Sequence, residues 1–230
     1  MDKLHLVTLY VHIAAGTTAF VAAPIALIVR KGAAAHRRWG KIYFWAMSFV
    51  AASGILLSIL LSNIFLFCVA FFAYYLVVSG YRWLYRKNPK QKVARLDWVI
   101  NGIAILVNTG LVVIGLLRLV NEHLSAFGII SMVFGLIGLN FSRQNIKQYL
   151  RPSPQKGAWL FNHIGGMIGG YIATVSAFSA VNMHFLPTLI QWLWPTMIGV
   201  PVIYFFISFY KNKMAKGRKV EDLVEVKIRD

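Results

Sequence analysis

The sequence predicts an all-α bundle of seven transmembrane helices, with the N-terminus outside and the C-terminus in the cytoplasm. Three observations carry that prediction. Seven apolar runs are each long enough to cross a hydrocarbon core of about 30 Å at about 1.5 Å per residue. Once these are drawn as spans, all but Lys3 and Arg118 of the 24 Lys and Arg residues fall on one side, as expected when cytoplasmic loops retain basic residues. Trp39, Tyr81, Trp83, Tyr85, Trp98, Trp159, Trp192, Trp194 and Tyr210 lie near span ends, where amphipathic rings anchor at the membrane–water interface. Composition agrees: 58% of residues are hydrophobic and 13% charged, against roughly 25% charged in soluble domains.

The first span is Leu4–Val29. It is long for the apolar core of a signal peptide, so it reads as an uncleaved helix despite the small residues before Pro24. A basic loop with Arg30, Lys31, Arg37 and Arg38 leads to the second span, Lys41–Leu61, and a start near Ala33 would bring His36 to the membrane boundary. Only Ser62 and Asn63 separate it from the third span, Ile64–Tyr85, which forces a tight antiparallel hairpin. A second basic loop precedes the fourth span, Leu96–Leu117, whose start Asp97 is placed to cap. Arg118 and Glu122 are four apart and suited to pair. The fifth span is Leu124–Phe141, the sixth Ala158–Val181 after a third basic loop, and the seventh Thr188–Tyr210. Pro24, Pro195 and Pro201 fall inside spans and predict bends. Residues 211–230 form a basic cytoplasmic tail, expected to be drawn to anionic lipid and to end in a mobile mixed-charge segment.

The net charge of +17 does not point to nucleic acid, because the charge sits in short loops between apolar runs. The only cysteine is Cys68, so no intrachain disulfide forms. No Lys lies in the seventh span before Lys211, which excludes a retinal Schiff base there. No carboxylate lies at mid-membrane depth, which removes the usual ion-coupling group of transporters and the general base of a membrane zinc hydrolase.

Histidines remain, and intramembrane histidines are functional candidates by default. His12 lies about 9 Å from the outer boundary and His163 about 8 Å from the inner one, an axial separation of roughly 15–18 Å. A single metal cannot bridge them, since His–metal bonds are about 2 Å. Two sites are therefore expected: His36 with His163 on the inside, and His12 on the outside with His184, His5 or His123. Both intramembrane histidines share faces with small residues. The Gly165–Gly169 and Gly166–Gly170 spacings permit close helix approach or clearance for a flat cofactor, and tight packing with each imidazole bonded to a carbonyl or amide explains them equally. Arg37 and Arg38 beside His36 suit an anionic head group, a quinone carbonyl or a haem propionate; topology alone also accounts for them. Asn101 and Asn108 are expected to form interhelical hydrogen bonds.

Three motifs carry a family resemblance: His12-Ile13-Ala14-Ala15-Gly16 in the first span, His36-Arg37-Arg38-Trp39-Gly40-Lys41-Ile42-Tyr43 entering the second, and Asn162-His163 with Met167 in the sixth. In these, and over nearly the whole chain to about Tyr210, the sequence resembles a family of bacterial multi-pass membrane proteins catalogued as domain of unknown function 2306. The resemblance implies a multi-pass architecture and singles out His12, His36 and His163, without implying a reaction. A looser similarity is to diheme membrane cytochromes of the b561 type, whose helix-borne histidines hold haem near each face; this chain lacks their four histidines in two facing intrahelical pairs. The expectation is a bacterial cytoplasmic-membrane protein with haem b or a transition metal at these histidines, serving redox chemistry. The alternatives are a non-enzymatic small-molecule transporter or assembly factor, with His12 and His163 lining a polar path, and a structural or partner-binding scaffold; a quinone or other small molecule is a candidate ligand.

Overall fold

The computed structural model describes residues 3–88, 91–152 and 157–225 of the chain. Seven long helices make up the bundle: α1 Lys3–Ile28, α2 Ala34–Leu60, α3 Ile64–Arg82, α4 Arg95–Asn121, α5 Ala126–Leu150, α6 Ala158–Asn182 and α7 Thr188–Ala215. A 3₁₀ turn, Trp83–Tyr85, extends α3, and a one-turn helix, α8 Val220–Leu223, follows α7. All seven long helices have the length and hydropathy of membrane spans. Helices satisfy their own backbone donors and acceptors, which lipid cannot. Large apolar side chains such as Phe49, Leu106, Val120, Met197 and Phe205 point outward, a surface suited to lipid and not to water. The protein is an integral, multi-pass membrane protein.

Helix α3 is the most buried span and contacts α2, α4, α5 and α6, whereas α1 and α7 lie at the periphery. The hairpin between α2 and α3 is as tight as predicted. Ser62 takes a positive φ of 51°, and the Asn63 side chain caps α3 by accepting from Leu66 N at 3.0 Å. The N-cap Ser125 does the same for α5, accepting from Gly128 N at 3.4 Å. Arg118 pairs with Glu122 at 3.4 Å.

Several ends differ from the hydropathy reading. Helix α2 starts at Ala34, before its basic residues. Helix α5 continues through Arg143 and Lys147 to Leu150, and α7 to Ala215. Charge ends an apolar run but does not end a helix, and long basic side chains keep their heads in water beyond the core. The mixed-charge end of the tail was expected to be mobile, and its residues 226–230 lie outside the described residues. Within the described part, Val220 and Val224, each 4% exposed, pack against Trp83, Trp159 and Tyr210.

Between α3, α4 and α5 lies a buried polar network. Tyr75 Oη donates to Asn101 Oδ1 at 2.6 Å and accepts from Asn145 Nδ2 at 2.9 Å. Asn145 also bonds Ser79 and receives the Trp83 indole N–H. Asn101 thus bonds between helices as predicted. Asn108 does not: its amide turns back to Ala104 O of its own helix, because Gly138 of α5 packs directly on it. Asp97 receives Arg82 Nε at 2.6 Å and Ala94 N at 3.3 Å, tying α3 to the start of α4.

Candidate functional site

At the basic end of the bundle α1, α2, α3, α6, α7 and the segment after α7 line a cavity of about 790 Å³, within the size range of small-molecule and cofactor sites. It extends along about 18 Å of α6, from Trp159 to Tyr171, and its inner part is lined by Ala23, Tyr43 and Ile168. Its mouth carries Lys31, Arg37, Lys41 and Lys87. His36 and His163 both line it, their ring centroids 6.4 Å apart and their planes at 76°.

Local structure fixes both imidazoles. The last carbonyls of a helix lack intrahelical donors. His36, in the first turn of α2, gives its Nδ1–H to Ala26 O in the last turn of α1, at 2.9 Å. His163 gives its Nδ1–H to Gly80 O in the last turn of α3, at 3.0 Å. A carbonyl oxygen only accepts, so Nδ1 must be the donor, and the neutral ring then keeps its lone pair on Nε2. Histidines that ligate metals are oriented in this way by their second nitrogen.

Glycine makes the second bond available. A Cβ on Gly80 would lie 2.9 Å from Met167 N, and one on Gly166 would lie 2.6 Å from Gly80 Cα. The α3 and α6 backbones therefore touch at this point, one turn along α6 from His163. The Gly166–Gly170 pair serves this contact, Gly170 packing on Val77.

The cations of the mouth are held in part by backbone. Lys31 Nζ folds over the end of α1, bonding Leu27 O and, at 3.3 Å, Ala26 O and Val29 O. Such a placement complements the negative end of the helix dipole. Arg37 donates to Gly32 O. The Lys87 ammonium stands 5.5 Å from the centre of the Trp159 ring. Burial lowers the pKa of Lys31, and burial together with Arg37 lowers that of Lys87. Deeper in the cavity, Tyr43 Oη is buried without a hydrogen-bond partner. The Thr174 hydroxyl nearby is engaged with Gly170 O and Met47 Sδ.

The other predicted residues lie elsewhere. Arg38 is exposed and is not on the cavity lining. His12 also stays off that lining. It donates Nδ1–H to Ser53 Oγ of α2 at 3.0 Å, since the Ser53 hydroxyl proton is given to Phe49 O at 2.6 Å. His184 is exposed in the loop after α6, and His123 sits in the loop after α4 with φ 35°. Among the described residues no three His, Cys, Asp or Glu side chains gather closely enough to hold one metal ion. The four-histidine outer cluster therefore does not assemble.

Sequence reasoning missed Gly80, Tyr43, Lys31 and Lys87 as parts of this site. Tyr43 alone had a local signal, lying two helical turns after His36 on nearly the same face. Compared with known proteins, the chain matches no family model, no curated protein and no solved structure.

Proposed function

We propose that this protein is a haem-binding redox protein of the bacterial cytoplasmic membrane, in which His36 and His163 would hold the haem, with the basic end facing the cytoplasm. The observation that carries the reading is the state of the two rings: each gives Nδ1–H to a main-chain carbonyl, which leaves the lone pair on Nε2, both line the same cavity, and they stand 6.4 Å apart. Metal–nitrogen bonds are about 2.0–2.1 Å long, so two rings this close could both reach one ion. A bare ion wants about four protein ligands, whereas haem brings its own ring nitrogens and asks the protein for two. Arg37, Lys31 and Lys87 at the mouth suit its propionates. When bound, haem supplies one-electron chemistry; this chain's residues hold it, orient it and exclude water from it. The resemblance to the domain-of-unknown-function-2306 proteins rests in part on the same two histidines.

A quinol is the second reading, favoured by the Nε2 lone pairs that the Nδ1 donors imply and by the unpartnered Tyr43 hydroxyl. Neutral imidazoles presenting Nε2 accept from hydroxyls and do not donate to carbonyls, so the reduced form would bind. The deciding experiment is a dithionite-reduced minus oxidised spectrum of the protein purified in mild detergent, with metal analysis. A Soret shift with about one iron per chain supports haem. A featureless spectrum without stoichiometric metal eliminates it.

A further inference from the structure

Four cations, Lys31, Arg37, Lys41 and Lys87, line the cavity against two carboxylates, Glu221 and Glu225, a formal excess of two positive charges. Among the described residues neither carboxylate comes within 4.0 Å of any of these four; Glu225 reaches only Arg30, at 3.9 Å. Both carboxylates belong to the segment after α7. That segment is anchored by Val220 and Val224, and by Glu225 N–H donating to Lys31 O at 3.1 Å. Two glycines make room for it. A Cβ on Gly32, where φ is +78°, would lie 2.4 Å from Glu225 O, and one on Gly157, where φ is +97°, would lie 3.1 Å from Val220 Cγ2.

We infer that the cavity mouth is an anion site, and that residues 218–225 act as an internal strap that lies across it, with Glu221 and Glu225 on the lining, until the carboxylate or phosphate of a membrane amphiphile displaces it. The charge excess calls for an anion. The apolar depth behind it, out to Ile168 and Tyr171, calls for an apolar body on the same molecule. The strap's hold is small enough to yield: Val220 and Val224 with the partly buried Leu223, one main-chain hydrogen bond and an exposed ion pair of little worth. This inference rests on the reading that the cavity receives a ligand, but not on that ligand being haem.

Hydrogen–deuterium exchange tests it on the full chain in phosphatidylcholine nanodiscs, read at the Glu225 amide. Haemin offers two carboxylates, haemin dimethyl ester the same iron and ring without them, and phosphatidylglycerol a lipid phosphate with net charge. Haemin or phosphatidylglycerol should speed exchange at Glu225 at least tenfold, while the ester and added phosphatidylcholine leave it unchanged. Arg37→Gln with Lys87→Gln should abolish the response, and Arg38→Gln, outside the cavity, should keep it. A response to haemin alone assigns the site to an amphiphilic carboxylate; a response to phosphatidylglycerol alone assigns it to lipid. Equal acceleration by the ester overturns the anion site while leaving haem ligation standing. Release by phosphatidylglycerol in a protein that never ligates haem keeps the inference and removes the haem reading. A Glu225 amide that exchanges at the unstructured rate without ligand, or that no anion accelerates, overturns the inference.

Discussion

Gly166→Ala tests whether backbone contact between α3 and α6 builds the site. The added Cβ would lie 2.6 Å from Gly80 Cα and 2.7 Å from both Gly80 N and Leu76 O. These are main-chain atoms of a central helix, so the helices must separate by most of an ångström. Overpacking of this kind costs about 1–3 kcal/mol, and loss of a helical glycine returns about 0.5–1 kcal/mol. The net cost lies between about 0 and 2.5 kcal/mol and is centred on about 1 kcal/mol, which lowers the melting temperature by about 2–4 °C at that centre for a chain of this size. The same separation stretches the 3.0 Å bond from His163 to Gly80 O past hydrogen-bonding range. Loss of such an orienting bond weakens metal affinity about 10- to 100-fold. Gly102→Ala is the control, since a Cβ there meets nothing within 4 Å; its melting temperature should hold or rise by a few degrees at about 0.5–1 kcal/mol. Thermal unfolding in detergent and a haemin titration read both effects. Wild-type melting and wild-type haemin affinity in Gly166→Ala would refute the contact as the origin of the site.

Three further outcomes follow from the same geometry. Asp97→Asn breaks the 2.6 Å pair with Arg82, whose acid is 2% exposed, and should cost about 3 kcal/mol in thermal or denaturant unfolding. Ser53→Ala removes the acceptor of the His12 Nδ1–H and should cost about 1 kcal/mol, with haemin binding unchanged because His12 is not on the cavity lining. Anion binding should weaken as pH rises. Deprotonation removes positive charge from Lys31 and Lys87, and burial places that loss below the ordinary 10.5. Haemin affinity measured across the alkaline range should therefore fall before free lysine titrates, and the haemin dimethyl ester should show no such fall.

The bundle was legible because each span is announced by a long apolar run, a signal that does not depend on neighbours. Helix ends were less so: α5 runs on through Arg143 and Lys147 to Leu150, where no residue forbids helix and hydropathy alone falls. Placing His36 and His163 at one end was also legible, from charge asymmetry and rise per residue. Their separation was not, because it depends on which helices are neighbours. The contact that sets His163, Gly80 against Gly166, is made by two residues without side chains. The strap had a faint signal in Val220, Leu223 and Val224 at helical spacing, a pattern too short to outweigh the surrounding charge. The outer histidines failed because three lie in loops or near a helix end, where hydropathy says nothing about side-chain direction.

The proposed sharing of one haem iron by His36 and His163 is best read by electron paramagnetic resonance of the oxidised, haem-loaded protein, alongside His36→Ala and His163→Ala. A low-spin bis-imidazole signal is expected in the parent, turning high-spin in each variant. A parent with no low-spin signal, or one that persists in both variants, overturns the proposal.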